Sequence, residues 1–214
     1  MVSLKIQILT DTSSWMNKYN YELQKKLETI GHCVNLIHKK DELTNGDIAF
    51  FLSCFEIIPQ ENLALNKHNI VVHASNLPEG KGWSPMSWQI LEGKNEIAVT
   101  LFEAIEKMDS GDWYIKDKLI LNGTELISEW QEKLGNKIVS MCIEYVKNYE
   151  TIPPKKQQGT ESIYPKRTPK NSELDINKTI KEQFNLLRIV DNEKYPAYFE
   201  IGGEKYILKI TKVL

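Results

Sequence analysis

Short apolar segments alternate with segments of helical periodicity along residues 1–150, and this alternation constrains the fold more than any other feature of the chain. The strand-like segments are LKIQIL (4–9), CVNLIH (33–38), GDIAFFLSC (46–54), HNIVVHAS (68–75) and IAVTLFEAI (97–105). The helical segments are WMNKYNYELQKKLETIGH (15–32), WSPMSWQILEG (83–93) and LISEWQEKLGNKIVSMCIEYVKNY (126–149). Strands that alternate with helices are typical of an α/β fold, so the sequence predicts a doubly wound, mostly parallel, Rossmann-like sheet.

A change of composition divides the chain near residue 150. Residues 150–172 are rich in Pro, Lys, Gln, Thr and Ser, which favours an irregular, solvated linker. After it, residues 172–191 predict a capped helix, and AYFEIGGEKYILKI (197–210) predicts a hairpin that turns at two glycines. We therefore expect a main domain over 1–150 and a small C-terminal extension of linker, helix and β-hairpin over 151–214.

Composition argues against several classes of protein. The chain has 29 acidic and 27 basic residues, and this balance argues against a nucleic-acid partner. It has no apolar run long enough to cross a bilayer and no secretory cleavage site, so we expect a cytoplasmic protein with no membrane partner. Cys33, Cys54 and Cys142 lack metal-ligand spacing and are odd in number, so neither a metal site nor a disulfide framework is predicted.

Two titratable residues are placed where α/β sheets collect their ligands. His73 ends an apolar strand segment just before a Pro- and Gly-containing stretch, and Asp109 begins the turn after the next strand. We expect both side chains at the same edge of the sheet. A histidine beside a carboxylate can stabilise an oxyanion and move a proton, which are the requirements of acyl transfer.

The sequence around these two residues resembles the formyltransferases that use N10-formyltetrahydrofolate. The resemblance is carried by His73, Ser75, Leu77, Pro78, Gly82 and Pro85, followed by Asp109, Gly111 and Asp112. It implies that His73 and Asp109 are catalytic. The family usually has Asn two residues before the His, where this chain has Val71. Asn76 is the candidate replacement as an oxyanion donor, and a backbone N–H group or an ordered water is the alternative.

The resemblance also implies where a folate cofactor and a substrate bind. The loops 53–59 and 104–109 would line the pterin, through Ser53, Cys54, Phe55, Ile57, Ile58, Ala104, Ile105, Glu106, Lys107 and Asp109. The loops 10–15 and 80–85 would hold the substrate, with the candidates Thr10, Ser13, Ser14, Trp15, Ser75, Lys81, Gly82, Trp83 and Ser84. Helix capping by Thr12 or Ser13 is the alternative role for the first of these loops, and Trp83 could equally belong to the core.

Within the family the chain is most similar to short sugar N-formyltransferases of bacterial surface-glycan pathways. This similarity implies that the acceptor is the amine of a nucleotide-linked amino sugar, in particular UDP-4-amino-4,6-dideoxy-N-acetyl-altrosamine of pseudaminic acid biosynthesis. A glycinamide ribonucleotide formyltransferase, a tRNA-type formyltransferase and a non-catalytic folate- or nucleotide-sugar-binding relative are the alternatives. The first would carry a glycine-rich phosphate loop where this chain has TDTSSW, and the second a further basic domain. The sequence leaves the oligomeric state open.

Overall fold

The computed structural model describes residues 2–213. In chain order its helices and strands are β1 (Lys5–Leu9), α1 (Asn17–Thr29), β2 (Cys33–Ile37), β3 (Gly46–Phe51), α2 (Gln60–Leu63), β4 (Asn66–His73), β5 (Lys81–Gly82), α3 (Pro85–Leu91), β6 (Glu96–Glu103), β7 (Trp113–Ile120), α4 (Ile127–Asn148), β8 (Ile163–Tyr164), α5 (Phe184–Ile189), β9 (Ala197–Ile201) and β10 (Glu204–Leu208).

The central sheet has six strands in the order β2-β1-β3-β4-β6-β7. Strands β1 to β4 pair in parallel, whereas β6 runs antiparallel to β4 and β7 antiparallel to β6. The predicted α/β class with a mostly parallel sheet is confirmed. Strand β7 was not predicted, because it lies at the edge of the sheet and its central Lys116, Asp117 and Lys118 resemble an exposed loop.

Apolar side chains cover both faces of the sheet. Helices α1 and α4 pack together on one face, where Tyr19 lies so close to Gly135 that a Cβ atom there would come within 2.6 Å of the ring. A second cluster, which includes Leu9, Ala49 and Phe51, covers the other face. Burial on both faces explains why GDIAFF is apolar nearly throughout.

The C-terminal extension differs in part from the expectation. The hairpin of β9 and β10 is present and turns at Gly202 and Gly203, but the helix predicted over 172–191 is reduced to α5. Polar side chains explain the loss, because Gln183 accepts a hydrogen bond from the backbone N–H of Asp175, and Glu182 accepts one from Thr179. Such local bonds compete with those of a helix.

A buried ion pair anchors the extension to the main domain. Arg188 of α5 lies 3.5 Å from Glu125, and their side chains are only 1% and 2% exposed. The indole N–H of Trp130 donates to the carbonyl oxygen of Arg188 at 3.0 Å. The division at residue 150 remains a prediction. No helix in residues 2–213 has both the length and the hydropathy that a bilayer span requires.

Candidate active site

His73 is the last residue of β4, so it lies at the carboxyl end of an inner strand of the sheet. The imidazole is mostly buried, and its Nε2 lies 2.8 Å from the carbonyl oxygen of Gly80. A carbonyl oxygen can only accept, so Nε2 is the donor in this contact. Within residues 2–213 the Nδ1 atom makes no hydrogen bond, which leaves that side of the ring for a ligand.

Asp109 lies opposite His73 in the loop between β6 and β7. Its Oδ2 lies 3.9 Å from His73 Nε2 and accepts a hydrogen bond of 2.8 Å from the backbone N–H of Gly82. The side chains of His73 and Asp109 are 10% and 13% exposed. The structure therefore brings the two predicted catalytic residues together. The carbonyl oxygen of Gly80 holds His73, and the backbone N–H of Gly82 holds Asp109.

The backbone of the Asp109 loop is held in an unfavourable conformation. Asp109 has a φ of 50°, which is in the left-handed region. Two residues later Gly111 packs so closely that a Cβ atom there would lie 1.8 Å from the carbonyl oxygen of Glu103. The side-chain amide of Gln157 donates to the carbonyl oxygens of Asp109 and Gly111, at 3.0 and 2.8 Å. Contacts from outside the loop thus keep Asp109 in place.

We call residues 155–164 the strap, because this segment binds both catalytic loops. In addition to the Gln157 contacts, the backbone N–H of Lys81 donates to Ser162 and that of Trp83 donates to Tyr164. Gly82 has a φ of 91°, and a Cβ atom there would lie 2.5 Å from the carbonyl oxygen of Tyr164. The linker predicted from composition is therefore irregular but bonded to the site.

Lys81, a predicted substrate-binding residue, makes its contacts inside the protein. Its ammonium group is buried and lies 2.7 Å from Glu161 of the strap and 2.8 Å from the hydroxyl of Ser110. The structure thus uses this lysine to join the strap to the residue after Asp109. Sequence reasoning missed Gln157 and Glu161 because polar residues among Pro and Lys resemble a solvated linker.

The predicted cofactor loop 53–59 meets the predicted substrate loop 80–85. The rings of Phe55 and Trp83 stack with centroids 5.6 Å apart and planes at 15°, and Lys166 lies 5.1 Å from the Trp83 ring centroid. The backbone N–H of Phe55 donates to Asp11 Oδ2 at 3.1 Å, and burial raises the pKa of that carboxyl. A ligand bound to the loop 53–59 or to the loop 80–85 would therefore contact a residue that holds the second of these loops in position.

The remaining residues of the two predicted cofactor loops divide into two groups. Cys54, Ile58 and Ala104 pack partly into the second apolar cluster. Burial raises the pKa of the Cys54 thiol to about 11, so it stays protonated and is a poor nucleophile. The exposed residues of these loops are Phe55, Glu56, Ile57, Ile105, Glu106, Lys107 and Met108, whereas Ser53 is half-buried with a φ of 54°.

The loop 10–15 uses most of its polar groups internally. Thr10 is buried and donates to Asn17, and the hydroxyl of Ser14 accepts from the backbone N–H of Met16. Trp15 packs on the main core with its ring 6.0 Å from that of Tyr19. Capping of α1 by Thr12 or Ser13 is not seen, since the N-cap residue is Met16 and no side chain caps it. Ser13 and Ser84 remain exposed.

Val71 occupies the position where the family usually has Asn, and Asn69 and Asn76 lie nearby in the sequence. Within residues 2–213 none of these three side chains forms a hydrogen bond with His73. Val71 packs in the second apolar cluster and has no hydrogen-bonding group. Asn69 donates to the carbonyl oxygen of Leu63 at 2.9 Å. The Asn76 side chain is exposed, and its oxygen accepts from Lys116 Nζ at 2.9 Å. Nearby, the hydroxyl of Ser75 is buried without a hydrogen-bond partner in residues 2–213.

Comparison with known proteins identifies the class that this fold and site define. Residues 16–144 match the formyl transferase family, and this match covers more than half of the chain. The chain therefore belongs to the formyl transferase family, a class of transferase enzymes. The methionyl-tRNA formyltransferase of Mycoplasma capricolum is 27% identical over 183 residues, which are 81% of this chain and 56% of that protein. The chain spans about half the length of the curated relatives it matches.

Solved structures share the fold over nearly the whole chain. HypX from Aquifex aeolicus, solved in complex with tetrahydrofolic acid, superimposes with a TM-score of 0.82 at 20% identity over 97% of this chain and 37% of that chain. A sugar N-formyltransferase from a Shewanella species superimposes with a TM-score of 0.70 at 14% identity, over 99% of this chain and 98% of that chain. At these identities the likeness is one of fold.

Proposed function

We propose that this protein transfers a formyl group from N10-formyltetrahydrofolate to the amine of a nucleotide-linked amino sugar. The observation that carries this proposal is the distance of 3.9 Å between His73 Nε2 and Asp109 Oδ2. The two atoms lie at the carboxyl end of an inner strand, in a chain of the formyl transferase family. Both residues lie at strand-to-loop corners, where ligands bind in α/β folds.

The two side chains suit the attack of an amine on a formyl carbon. Negative charge develops on the formyl oxygen during this attack, and a protonated His73 can donate to that oxygen from Nδ1, the ring nitrogen without a protein partner. The Asp109 carboxylate offers the opposite charge to the imidazolium and can accept the proton that the amine loses. The hydrogen bond from His73 Nε2 to the Gly80 carbonyl oxygen and the one from the Gly82 N–H to Asp109 fix the relative position of the two groups.

The cofactor loops fit a flat, amide-like pterin. Phe55 and Ile57 on one loop and Ile105 and Met108 on the other are large apolar side chains left exposed. The backbone N–H groups of Ile57 and Ile105 make no hydrogen bond within residues 2–213. An apolar surface with available backbone donors is what a pterin requires. When bound, N10-formyltetrahydrofolate supplies the formyl group on a nitrogen leaving group, and HypX, which shares the fold, binds tetrahydrofolic acid.

Charge favours a nucleotide sugar over tRNA as the acceptor. A formal net charge of −2 gives the chain little overall attraction to a polyanion such as tRNA. The Shewanella sugar enzyme has the same fold over almost its entire length. Within this class the sequence resemblance favours UDP-4-amino-4,6-dideoxy-N-acetyl-altrosamine. Formylation of methionyl-tRNA is the second candidate, favoured by the sequence likeness to the Mycoplasma capricolum enzyme.

A substrate panel tests this function. The purified protein is incubated with N10-formyltetrahydrofolate and with UDP- and dTDP-linked amino sugars, initiator methionyl-tRNA or glycinamide ribonucleotide, and the products are analysed by mass spectrometry. We expect formylation of a nucleotide sugar, abolished in a His73→Ala control. A higher kcat/KM for tRNA would transfer the assignment to the second candidate. Binding of the folate without formylation of any acceptor would indicate a non-catalytic relative.

A further inference from the structure

A cavity of about 520 Å³ lies where the start of β7 meets the strap. It is lined by Trp113, Lys116, Lys155, Lys156 and Gln158. The backbones of Trp113 and Lys155 exchange two hydrogen bonds of 2.8 Å, so the wall between strand and strap is continuous. The sequence does not predict this site, because its two sides are about 40 residues apart and one of them resembles a solvated linker in composition.

Three of the five residues that line the cavity are lysines, which give it a positive lining. Within residues 2–213 no carboxylate lies within 4.0 Å of the ammonium groups of Lys116, Lys155 and Lys156, whereas the neighbouring Lys118 is paired with Glu96. Lys116 and Lys155 lie 5.1 and 4.8 Å from the Trp113 ring centroid. Burial disfavours the charged form of Lys116 and lowers its pKa, although the nearby Glu79 carboxylate acts in the opposite direction. An anionic ligand would relieve this cost.

The walls of the cavity are bonded to both catalytic loops. Lys116 Nζ donates to Asn76 Oδ1 and to the carbonyl oxygen of Leu77, in the turn that follows His73. Gln157, between two residues that line the cavity, donates to the carbonyl oxygen of Asp109. A molecule held in the cavity therefore lies beside the loops that carry both candidate catalytic residues.

From these observations we infer that the cavity binds the nucleoside diphosphate of the acceptor, an inference that rests on the proposed function. The volume is within the range of about 300–1,000 Å³ typical of ligand sites. Two phosphates carry the charge that three lysines without a carboxylate partner in residues 2–213 attract, and Trp113 offers an aromatic side chain to a planar base. The amino sugar attached to the diphosphate would then extend towards His73.

Binding of UDP without a sugar tests the inference independently of catalysis. We expect Lys155→Ala and Lys156→Ala each to weaken UDP binding about tenfold in calorimetric titration and to reduce its salt dependence, because each removes one charge-assisted contact. Both side chains are exposed, so these variants should keep the fold. Lys118→Ala, two residues along β7 from Lys116, is the matched control and should bind UDP as the wild type does.

The outcomes separate this inference from the proposed function. UDP binding that is unchanged in both lysine variants would overturn the inference, even if the protein formylates a nucleotide sugar. UDP binding that depends on the lysines, without formylation of any sugar, would support the site and contradict the function. If the two variants weaken binding of tRNA but not of UDP, the nucleoside diphosphate is the wrong ligand.

Discussion

Gln157 donates its side-chain amide to the backbone carbonyl oxygen of Asp109 at 3.0 Å, although the two residues are 48 positions apart in the sequence. The same amide group also binds Gly111. Asp109 needs this support because its backbone is left-handed, a conformation that costs a non-glycine residue of order 1 kcal/mol or more. The strap thus positions Asp109 through a hydrogen bond to its backbone carbonyl oxygen, which leaves the carboxylate of Asp109 out of this contact.

Replacement of Gln157 by Leu should lower kcat by about 10- to 100-fold, because small displacements of a catalytic group carry costs of this size. The KM for the formyl donor should change less than kcat, since within the predicted cofactor loop 104–109 the Gln157 side chain hydrogen-bonds only to Asp109, the last residue. Thr160→Ala, at an exposed strap residue, is the control and should behave as the wild type. Steady-state kinetics measure the effect, and an equal loss in both variants would refute a specific role for Gln157.

Loss of either member of the catalytic pair should reduce turnover by about 10²- to 10⁴-fold, as is typical of acid–base groups. His73→Ala removes the imidazole. Asp109→Asn removes the charge but keeps an oxygen that can accept from the Gly82 N–H, so the loop should hold its shape. Turnover is measured at saturating substrates, and circular dichroism checks the fold. Near-normal turnover in a folded variant would remove that residue from the mechanism.

The missing Asn two residues before His73 can be restored. If the site lacks this oxyanion donor, Val71→Asn should raise kcat, because one donor contributes about 10²- to 10³-fold elsewhere. If Asn76 replaces it, Val71→Asn should have little effect and Asn76→Ala should lower kcat. Val71→Thr controls for polarity in the apolar cluster. Measurement of kcat in the three variants decides between the two donors, and no change in any of them would indicate a backbone N–H group or water.

The stacked pair of Phe55 and Trp83 should matter for the cofactor. Trp83→Ala removes the ring that supports Phe55, so it should raise the dissociation constant for tetrahydrofolate. Tetrahydrofolate should also protect the backbone amides of residues 53–58 and 104–109 from hydrogen exchange, because bound ligands stabilise what they contact. Trp88→Ala is the control, since that ring stacks on Tyr164 instead. Protection confined to residues 10–15 would place the pterin elsewhere.

Glu125 should make the stability of the protein dependent on acid pH. Burial opposes its charged form, but the Lys133 ammonium and the backbone N–H of Asn122 outweigh burial and lower the pKa of the carboxyl from 4.5 to about 2. Its contribution is therefore complete above pH 4.5 and is lost as the pH falls towards 2. Glu125→Gln should cost about 3–5 kcal/mol at pH 7, since it leaves Arg188 buried without its partner.

Urea unfolding of wild type and Glu125→Gln at several pH values measures this contribution. The difference in unfolding free energy between the two proteins should shrink as the pH falls from 4.5 towards 2. Glu132→Gln replaces an exposed glutamate on α4 and should have no such effect. A difference that stays constant with pH would contradict the prediction, because it would show that the pKa of Glu125 is the same in the folded and the unfolded protein.

The sequence predicted those parts of the fold in which burial determines the pattern. The inner strands are apolar because both faces are covered, and His73 follows directly from the end of one of them. Strand β7 and the strap escaped prediction, since an edge strand and an irregular segment are specified by backbone contacts with distant residues. The same reason explains Lys81, whose residue type suits a ligand contact although its ammonium is satisfied by Glu161.

The strap also determines when the site can form during translation. His73 and Asp109 leave the ribosome before the residues that hold their loops, because the chain must be extended to Tyr164 before β5 can pair with β8. A nascent chain can thus assemble its inner strands while its reactive loops still lack their main support. Assembly of the reactive centre is consequently a late event of synthesis, since it cannot precede the appearance of the strap.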